Sequence, residues 1–242
     1  MNYFVYKGIR SCDLGLRIEK KDVFSAPQYS MEFLAIPGRD GDLITRGGRF
    51  PNVQVTYTVF VVAHSVAELY DRLTQVKTWL YSDLDAYHDL SDTYDNLCYR
   101  QAVFSGKLDI DEQMNRIGMF TVTFSCKPFR RTLAGNAPVE FYGDGIITNP
   151  FPFTSKPLIR IYGNGEGSLT LTTPTHTAIW TFTDINGYLD IDSEQMNFYK
   201  GTKPMNDTVS GSGFPMLYSG DNGVAFSGDI TEVHITPRWC CL

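Results

Sequence analysis

Length, composition and charge exclude several classes of protein. The chain has 242 residues, 43% of them hydrophobic and 14% aromatic, so it is long enough to bury a sizeable core. Its net charge of −6 gives no overall attraction to nucleic acid or anionic lipid, and its longest apolar run, residues 59–63, is far shorter than the ~20 residues that span a bilayer. The five cysteines form no C-x-x-C motif, and their spacing is the pattern of neither a disulfide framework nor a zinc site.

The N-terminal segment MNYFVYKGIRSCDLG does not resemble a secretory signal. It lacks both a long apolar core and a small-residue cleavage site, so we expect synthesis to end in the cytosol. Frequent Thr, Val and aromatic residues, together with 21 glycines, favour β structure along the whole chain.

The first distinctive motif is AIPGRDGDL. Pro37 and Gly38 suit the centre of a type II turn, because proline fixes φ and glycine accepts a positive φ, and Asp40-Gly41 is a second turn signal. Two successive turns predict a stiff, compact excursion between strands. Arg39 is its candidate functional residue: the guanidinium either pairs with a carboxylate of a neighbouring subunit or stays solvated.

A strand and an amphipathic helix follow this motif. Residues 53–59 alternate apolar and polar side chains, which places one face of a strand on a core. The segment HSVAELYDRLTQVKTWLYSD repeats apolar residues at spacings of three and four, which predicts a helix with one buried stripe. Ser65 and Glu68 form a capping box at its start, and Trp79 is assigned to a core or an interface. The stripe consists of Val66, Leu69, Leu73, Val76 and Leu80.

Residues 81–97 are rich in aspartate. An EF-hand starting at Asp83 would need glycine at its sixth position and glutamate at its twelfth, where the sequence has His88 and Tyr94. This excludes a calcium loop of that type. We therefore predict a solvated acidic connection in place of a metal site.

The rest of the chain reads as β structure. Strands are predicted at residues 99–105 and 118–126, with a hairpin excursion between them. After residue 149, short apolar runs alternate with turns that contain Gly, Asn or Pro, which predicts an all-β sandwich or jelly roll. These runs are 158–162, 169–171, 178–182, 188–191, 224–226 and 233–235. Periodicity is lost near residue 132, so we predict an N-terminal α+β domain over 1–132 and a C-terminal domain over 133–242.

The side chains that could act in catalysis do not form a recognisable active-site motif. The four histidines lie apart, with no Gly-x-Ser-x-Gly elbow or His-Glu-x-x-His helix to accompany them. They are His64, His88, His176 and His234. The glycine-rich GNGEG is followed by a strand rather than a helix, so it predicts a hairpin turn and not a phosphate loop.

Three carboxylates are the remaining candidates for chemistry. Asp190 and Asp192 share one face of a predicted strand, usually the solvent face, and Glu194 follows them. They could act as an acid/base pair or as a metal site, but the sequence alone does not indicate a substrate for them.

Several segments, in order, resemble the distal tail proteins of long-tailed bacteriophages and prophages. In the N-terminal half these are YKGIRSCDLGLRI, IPGRDGDL, the Val-rich strand, the helix ending in WL, and FTVTFSCKPFRR. In the C-terminal half they are NPFPFTSKPLIRIYGNGEGSLTL, YLDIDSEQMNFYK and FPMLYSGDNGVAFSGDITEVHITPRW. The resemblance covers most of the chain, and its specificity lies in the combination and order of the motifs.

The resemblance implies a structural protein of the tail tip. It implies an N-terminal β-sandwich with one helix and a C-terminal galectin-like β-sandwich, in a ring that is commonly hexameric and encloses a DNA channel. The expected partners are other copies of the chain, the tail tube protein, the tape measure protein, and baseplate or receptor-binding proteins. Assembly would take place in the host cytoplasm, with no cofactor, metal, membrane contact or catalytic activity. Within this ring, Pro37, Gly38, Arg39, Asp40 and Gly41 are the predicted subunit interface.

Two other functions compete with this hypothesis. A carbohydrate-binding adhesin would use the C-terminal sandwich, with Trp180, Tyr188 or Tyr199 stacking on a sugar. The side-chain pattern of true galectins is absent, since Thr-Phe-Thr follows Trp180. A hydrolase would use Asp190, Asp192 or Glu194, and it has the weaker support.

Overall fold

The structure is a computed structural model that describes residues 2–46, 48–113, 116–211 and 213–242. The chain divides into two compact units, one that ends at Arg130 and includes Leu242, and one that comprises Arg131–Cys241. Antiparallel sheet dominates both units, which confirms the predicted mainly-β fold class. Whether residues 1–132 and 133–242 are independent domains stays a prediction.

The first unit contains ten strands, one α-helix and a 3-10 helix in its described part. The helix α1 spans Val66–Tyr81, and the 3-10 helix spans Ser11–Leu14. The strands are β1 (Phe4–Tyr6), β2 (Ile9–Arg10), β3 (Leu16–Asp22), β4 (Met31–Leu34), β5 (Leu43–Arg46), β6 (Val53–Val62), β7 (His88–Asp92), β8 (Asp95–Phe104), β9 (Asp111–Gln113) and β10 (Ile117–Cys126).

One antiparallel sheet organises the first unit, with strand order β2-β1-β7-β8-β10-β6-β3. At its centre β6 and β10 pair over ten residues, from Val53 opposite Cys126 to Val62 opposite Ile117. The predicted alternation is confirmed, because side chains of both strands alternate between the core and the opposite face. The predicted excursion before β10 contains β9, and its residues 114–115 lie outside the described part.

The helix packs on this core as its sequence predicts. Ser65 caps it, its hydroxyl accepting from the Glu68 N–H at 3.2 Å, while the Glu68 carboxylate accepts from the His64 N–H at 2.8 Å. Trp79 lies in the core, where its indole donates to the carbonyl of Tyr6 at 3.1 Å. Leu69, Val76 and Leu80 are also buried, whereas Val66 is exposed. No helix in the described part is long and apolar enough to cross a membrane.

The prediction of a solvated connection over residues 81–97 holds for the exposed residues 82–87 and is wrong for the rest. A hairpin of β7 and β8 occupies most of this segment, and the Asp92 carboxylate closes its turn by accepting from the N–H groups of Tyr94 and Asp95 at 2.8 and 3.0 Å. The hydroxyl of Tyr57 donates to the same carboxylate at 2.7 Å, and burial, then the charge of Asp92, raises the pKa of Tyr57. Asp92 thus stabilises a turn through hydrogen bonds, a role that the number of acidic residues in the segment does not predict.

The second unit is a β-structure with two short 3-10 helices at Leu133–Asn136 and Asn206–Thr208. Its strands β12 to β19 form one antiparallel sheet in the order β12-β19-β14-β15-β16-β17, with β13 added to β19 and β18 added to β15. The strands are β11 (Arg130–Thr132), β12 (Val139–Phe141), β13 (Gly145–Asn149), β14 (Leu158–Thr172), β15 (Thr177–Asp192), β16 (Asn197–Lys200), β17 (Lys203–Pro204), β18 (Val209–Gly211), β19 (Gly220–Thr236) and β20 (Cys240–Cys241).

Three long strands replace the six short apolar runs that the sequence predicts. β14, β15 and β19 each contain two of those runs, joined by a polar or glycine-rich stretch where the register shifts. Residues before and after the shift share one core, such as Ile159 and Leu169 of β14. The register shifts act as β-bulges, which bend strands without ending them.

GNGEG is therefore not the predicted hairpin turn, because it lies inside β14 at the register shift. Its glycines let β19 approach closely: a Cβ atom on Gly163 would lie 2.3 Å from the carbonyl oxygen of Asp229. Gly165 has a φ of +126°, which other residues rarely adopt. The glycines serve backbone packing and not a phosphate.

Candidate subunit interface

A hairpin of β4 and β5 forms a separate two-stranded sheet in the first unit. Phe33 pairs with Ile44 on one face, and Leu34 pairs with Leu43 on the other. All four side chains are exposed, including 61% of Phe33 and 54% of Ile44. An isolated hairpin is marginally stable in water, and apolar side chains on both of its faces favour burial against a partner.

The motif AIPGRDGDL is the tip of this hairpin. Gly38 has a φ of +78°, and the N–H of Arg39 donates to the carbonyl of Ile36 at 3.2 Å, as in the predicted type II turn. Gly41 also has a φ of +78°, which agrees with the second turn signal. The excursion between two strands is confirmed, and its glycines are needed for their backbone angles.

The tip presents charges to solvent. Arg39, Asp40 and Asp42 are exposed, and none forms an ion pair with another residue of the described ranges. The structure therefore places the predicted interface residues on an accessible loop. That they contact a neighbouring subunit stays a prediction.

The base of the hairpin is held by an aromatic cluster. The ring of Phe50 lies 4.8 Å from that of Tyr29 and 5.4 Å from that of Phe129. The N–H of Ser30 donates to the carbonyl of Arg49 at 3.1 Å and ties the two chain segments together. The hairpin is thus anchored at one end and exposes its apolar faces, as expected for an arm that reaches a partner.

Comparison with protein families identifies the N-terminal part of this chain. Residues 13–126, which include the hairpin, match a model of the phage tail protein RIFT-related domain. This part of the chain is a phage tail protein domain. The resemblance to phage tail proteins that the sequence motifs indicated is thereby confirmed.

Solved structures show that the whole chain has a known fold. The crystal structure of the Dit protein of phage SPP1, described as a paradigm of hub adsorption apparatus in phages that infect Gram-positive bacteria, matches with a TM-score of 0.78 at 13% identity, over 100% of both chains. The phage P2 baseplate in its activated conformation matches in its calcium and strontium forms, each with a TM-score of 0.53 at 9% identity, over 97% of both chains. The sequence search of curated proteins gave no match.

In the second unit, the prediction that Trp180 stacks on a sugar is wrong. Only 1% of this side chain is exposed, and its indole donates to the carbonyl of Gly213 at 2.8 Å. The guanidinium of Arg160 lies 4.5 Å from the centre of the Tyr188 ring, and Tyr199 is half-buried. Trp180 therefore offers no open aromatic face to a sugar, while stacking by Tyr188 or Tyr199 stays a prediction.

Asp190 and Asp192 are not on a solvent face, as the sequence predicted, but are both buried. Asp190 accepts two hydrogen bonds from Arg160 at 2.6 and 2.8 Å, and Asp192 accepts two from Arg238 at 2.8 and 2.9 Å. Glu194 pairs with Arg131. These carboxylates are engaged with guanidinium groups, so their first role is structural.

The pKa of Asp192 reflects this environment. Burial alone raises it, but the hydrogen bonds from Arg238 and from the N–H of Gln195, with the charges of Arg238 and Arg131, outweigh burial and lower the pKa. A carboxyl group with this environment stays ionised and holds its guanidinium partner.

The four histidines also lie apart in the structure. His88 stands edge-on to the ring of Tyr6 at 5.8 Å, His176 stacks on Tyr218 at 4.7 Å, and His234 lies edge-on to Tyr162 at 4.9 Å. The His64 N–H belongs to the helix cap. In the described ranges, no three His, Cys, Asp or Glu side chains are grouped so that they could hold a metal ion.

Sequence reasoning identified the tip of the hairpin but missed its apolar strands. Met31, Phe33, Leu34, Leu43 and Ile44 flank the turn and are all exposed. A signal was present, because these strands have apolar residues at adjacent positions and so leave neither face polar. Such a pattern usually indicates burial on both faces.

Proposed function

We propose that this phage tail protein is a structural hub of the tail tip, assembled as a ring, most simply a hexamer, around a channel for DNA. The observation that carries the proposal is the β4–β5 hairpin, which exposes apolar side chains on both faces. In a ring, each subunit contacts the next through two different patches, and an arm that reaches a neighbour is one way to supply the first patch. The fold shared with the Dit protein of phage SPP1 supports a hub over other tail components.

The proposed partners follow from this place in the tail. The ring would contact the tail tube protein and the tape measure protein on one side, and baseplate or receptor-binding proteins on the other. DNA would pass through without specific binding, because an acidic chain holds few phosphates by counterion release. We propose assembly in the host cytoplasm, and no catalytic activity or cofactor.

Electron microscopy and native mass spectrometry of the purified chain test the ring. We expect closed particles of one size whose abundance increases with protein concentration. A variant in which residues 31–46 are replaced by a short Gly-Ser linker should remain folded and monomeric. A wild type that stays monomeric at high concentration, or a hairpin-less variant that forms the same ring, would overturn the proposal.

A separate assay tests the channel. Double-stranded DNA mixed with assembled rings at physiological salt should show no stable complex, because threading requires weak contacts. Tight binding of DNA by the ring would contradict a passive channel and leave the ring itself unaffected.

A further inference from the structure

We propose that the hairpin of one subunit docks along an exposed stripe of helix α1 on the next subunit. The stripe consists of Val66, Tyr70, Lys77 and Tyr81. This inference rests on the proposed ring, for which it names the receiving surface.

The stripe lies outside the part of α1 that packs on the core. Val66 is 57% exposed and Tyr70 70% exposed, and at a spacing of four residues they stand one above the other on one side of the helix. Lys77 follows two turns later on the same side, and Tyr81 ends the stripe. Aromatic side chains are enriched among residues that dominate binding energy, and Tyr70 is available for such a contact.

The hairpin matches this stripe in length and in chemistry. Its four-residue strands extend over about 13 Å, and the helix from Val66 to Lys77 over about 16 Å. The face that carries Phe33 and Ile44 offers an aromatic and a branched side chain for contact with Val66 and Tyr70.

The charges of the two surfaces are complementary. Lys77 forms no ion pair with any residue in the described part of the chain. Asp42 precedes Ile44 by two residues, about 7 Å along an extended chain, while Lys77 follows Tyr70 by about 10 Å along the helix. With Ile44 placed over Tyr70, the Asp42 carboxylate therefore comes within reach of the flexible Lys77 ammonium group.

The free edge of the large sheet is a poorer receiver. The edge strand β3 exposes Arg17, Glu19 and Lys20, and charged side chains on an edge strand oppose pairing with a second strand. The apolar faces of the hairpin would leave these charges poorly hydrated. The helix stripe, with one charge among three apolar or aromatic residues, avoids that cost.

Charge reversal tests the pairing. Native mass spectrometry over a concentration series would compare wild type, Lys77→Glu, Asp42→Lys, the double variant, and Lys203→Glu, which makes the same charge change at an exposed lysine of the second unit. We expect each single change in the pair to weaken assembly about tenfold, and the double variant to regain most of it. Circular dichroism would verify that every variant is folded.

The outcomes separate this inference from the ring itself. Rings that form equally well with Lys77→Glu, or a double variant that regains nothing, overturn the inference and leave the proposed function standing. A wild type that forms no ring overturns both. An effect of Lys203→Glu as large as that of Lys77→Glu would show that only net charge matters, and it also overturns the inference.

The apolar half of the contact has its own control. Tyr70→Ser should weaken the ring at least tenfold, because a central aromatic residue is lost from the interface. Tyr142→Ser removes an equally exposed tyrosine from the second unit and should leave assembly unchanged. If the two variants assemble alike, α1 is not the receiving surface.

Discussion

The β4–β5 hairpin and strand β15 depart from the usual placement of side chains in opposite ways. The hairpin exposes Phe33 and Ile44 to solvent, whereas β15 buries Asp190 and Asp192. Both placements are energetically unfavourable unless other groups offset them. Within the described chain, Arg160 and Arg238 pair with the two aspartates, whereas the apolar side chains of the hairpin stay exposed and favour contact with a partner.

The comparison separates interactions that serve the fold from those that serve assembly. A buried charge must be paired inside the folded chain, because an unpaired ion in a poorly polar environment costs several kcal/mol. An exposed apolar side chain costs little in the monomer and contributes when a second surface covers it. Substitutions in β15 should therefore change unfolding, and those in the hairpin should change assembly.

The largest expected effect is on stability, from Asp192→Ala. Removing this buried carboxylate leaves the partly buried guanidinium of Arg238 without its two-bond partner, at a cost of about 3–5 kcal/mol. Urea unfolding followed by fluorescence would measure the loss. Asp184→Ala, at an exposed position of the same strand, should change the unfolding free energy by less than about 0.5 kcal/mol. Equal effects at both positions would contradict a structural role for the pair.

The next largest effect is on assembly, from Phe33→Asp. A charge at the centre of an apolar contact should cost about 2 kcal/mol or more per interface. The monomer should keep its unfolding free energy to within about 0.5 kcal/mol, since the side chain starts exposed. Sedimentation velocity measures the first effect and urea unfolding the second. Ile146→Asp, at an equally exposed isoleucine of the second unit, is the control and should assemble normally.

A smaller effect concerns pH. The folded pKa of Asp192 is lowered, so its contribution to stability is complete above the unfolded value of about 3.9 and is lost as the pH falls through the folded pKa. The stability difference between wild type and Asp192→Asn should therefore be large near neutral pH and shrink in acid. Urea unfolding across this range would measure it, and a difference independent of pH would contradict the argument.

The smallest expected effect comes from Arg39→Ala. The side chain is exposed on the hairpin tip, so at the rim of an interface its loss should cost below about 1 kcal/mol per contact. Native mass spectrometry beside wild type would detect a modest loss of rings. A loss of about 3–5 kcal/mol would indicate that Arg39 pairs with a partly buried carboxylate of the neighbour. Assembly identical to wild type would show that the tip is a turn with no role in the subunit contact.

Local sequence patterns were sufficient to predict several secondary-structure elements. Ser65 and Glu68 located the helix start, and the period-two alternation located β6 and β10, since these signals lie within a few residues of the chain. Pro37-Gly38 predicted its own turn for the same reason. In the second unit, the six apolar runs do lie in strands, but their separation by turns was wrong, since nothing local showed that bulges join them in pairs.

Side-chain placement in the candidate sites was harder to predict. The expectation that Asp190 and Asp192 lie on a solvent face was wrong, because Arg160 and Arg238, which are 30 and 46 residues away in sequence, pair with them in the folded chain. Trp180 was buried by contacts from β18 and its neighbours, for which the sequence carries no local sign. The apolar strands of the hairpin were visible in the sequence, but only the structure shows them unpacked.

The sequence by itself determined the mainly-β character, the capped helix, the turn at the hairpin tip and the resemblance to phage tail proteins. Backbone preferences and side-chain periodicity act over a few residues, so they can be read from the chain directly. The tertiary structure decided which charges are buried in pairs, which strands continue through a bulge and which apolar faces are left uncovered. Those outcomes depend on contacts between residues distant in sequence, whose energy exists only once the chain has folded.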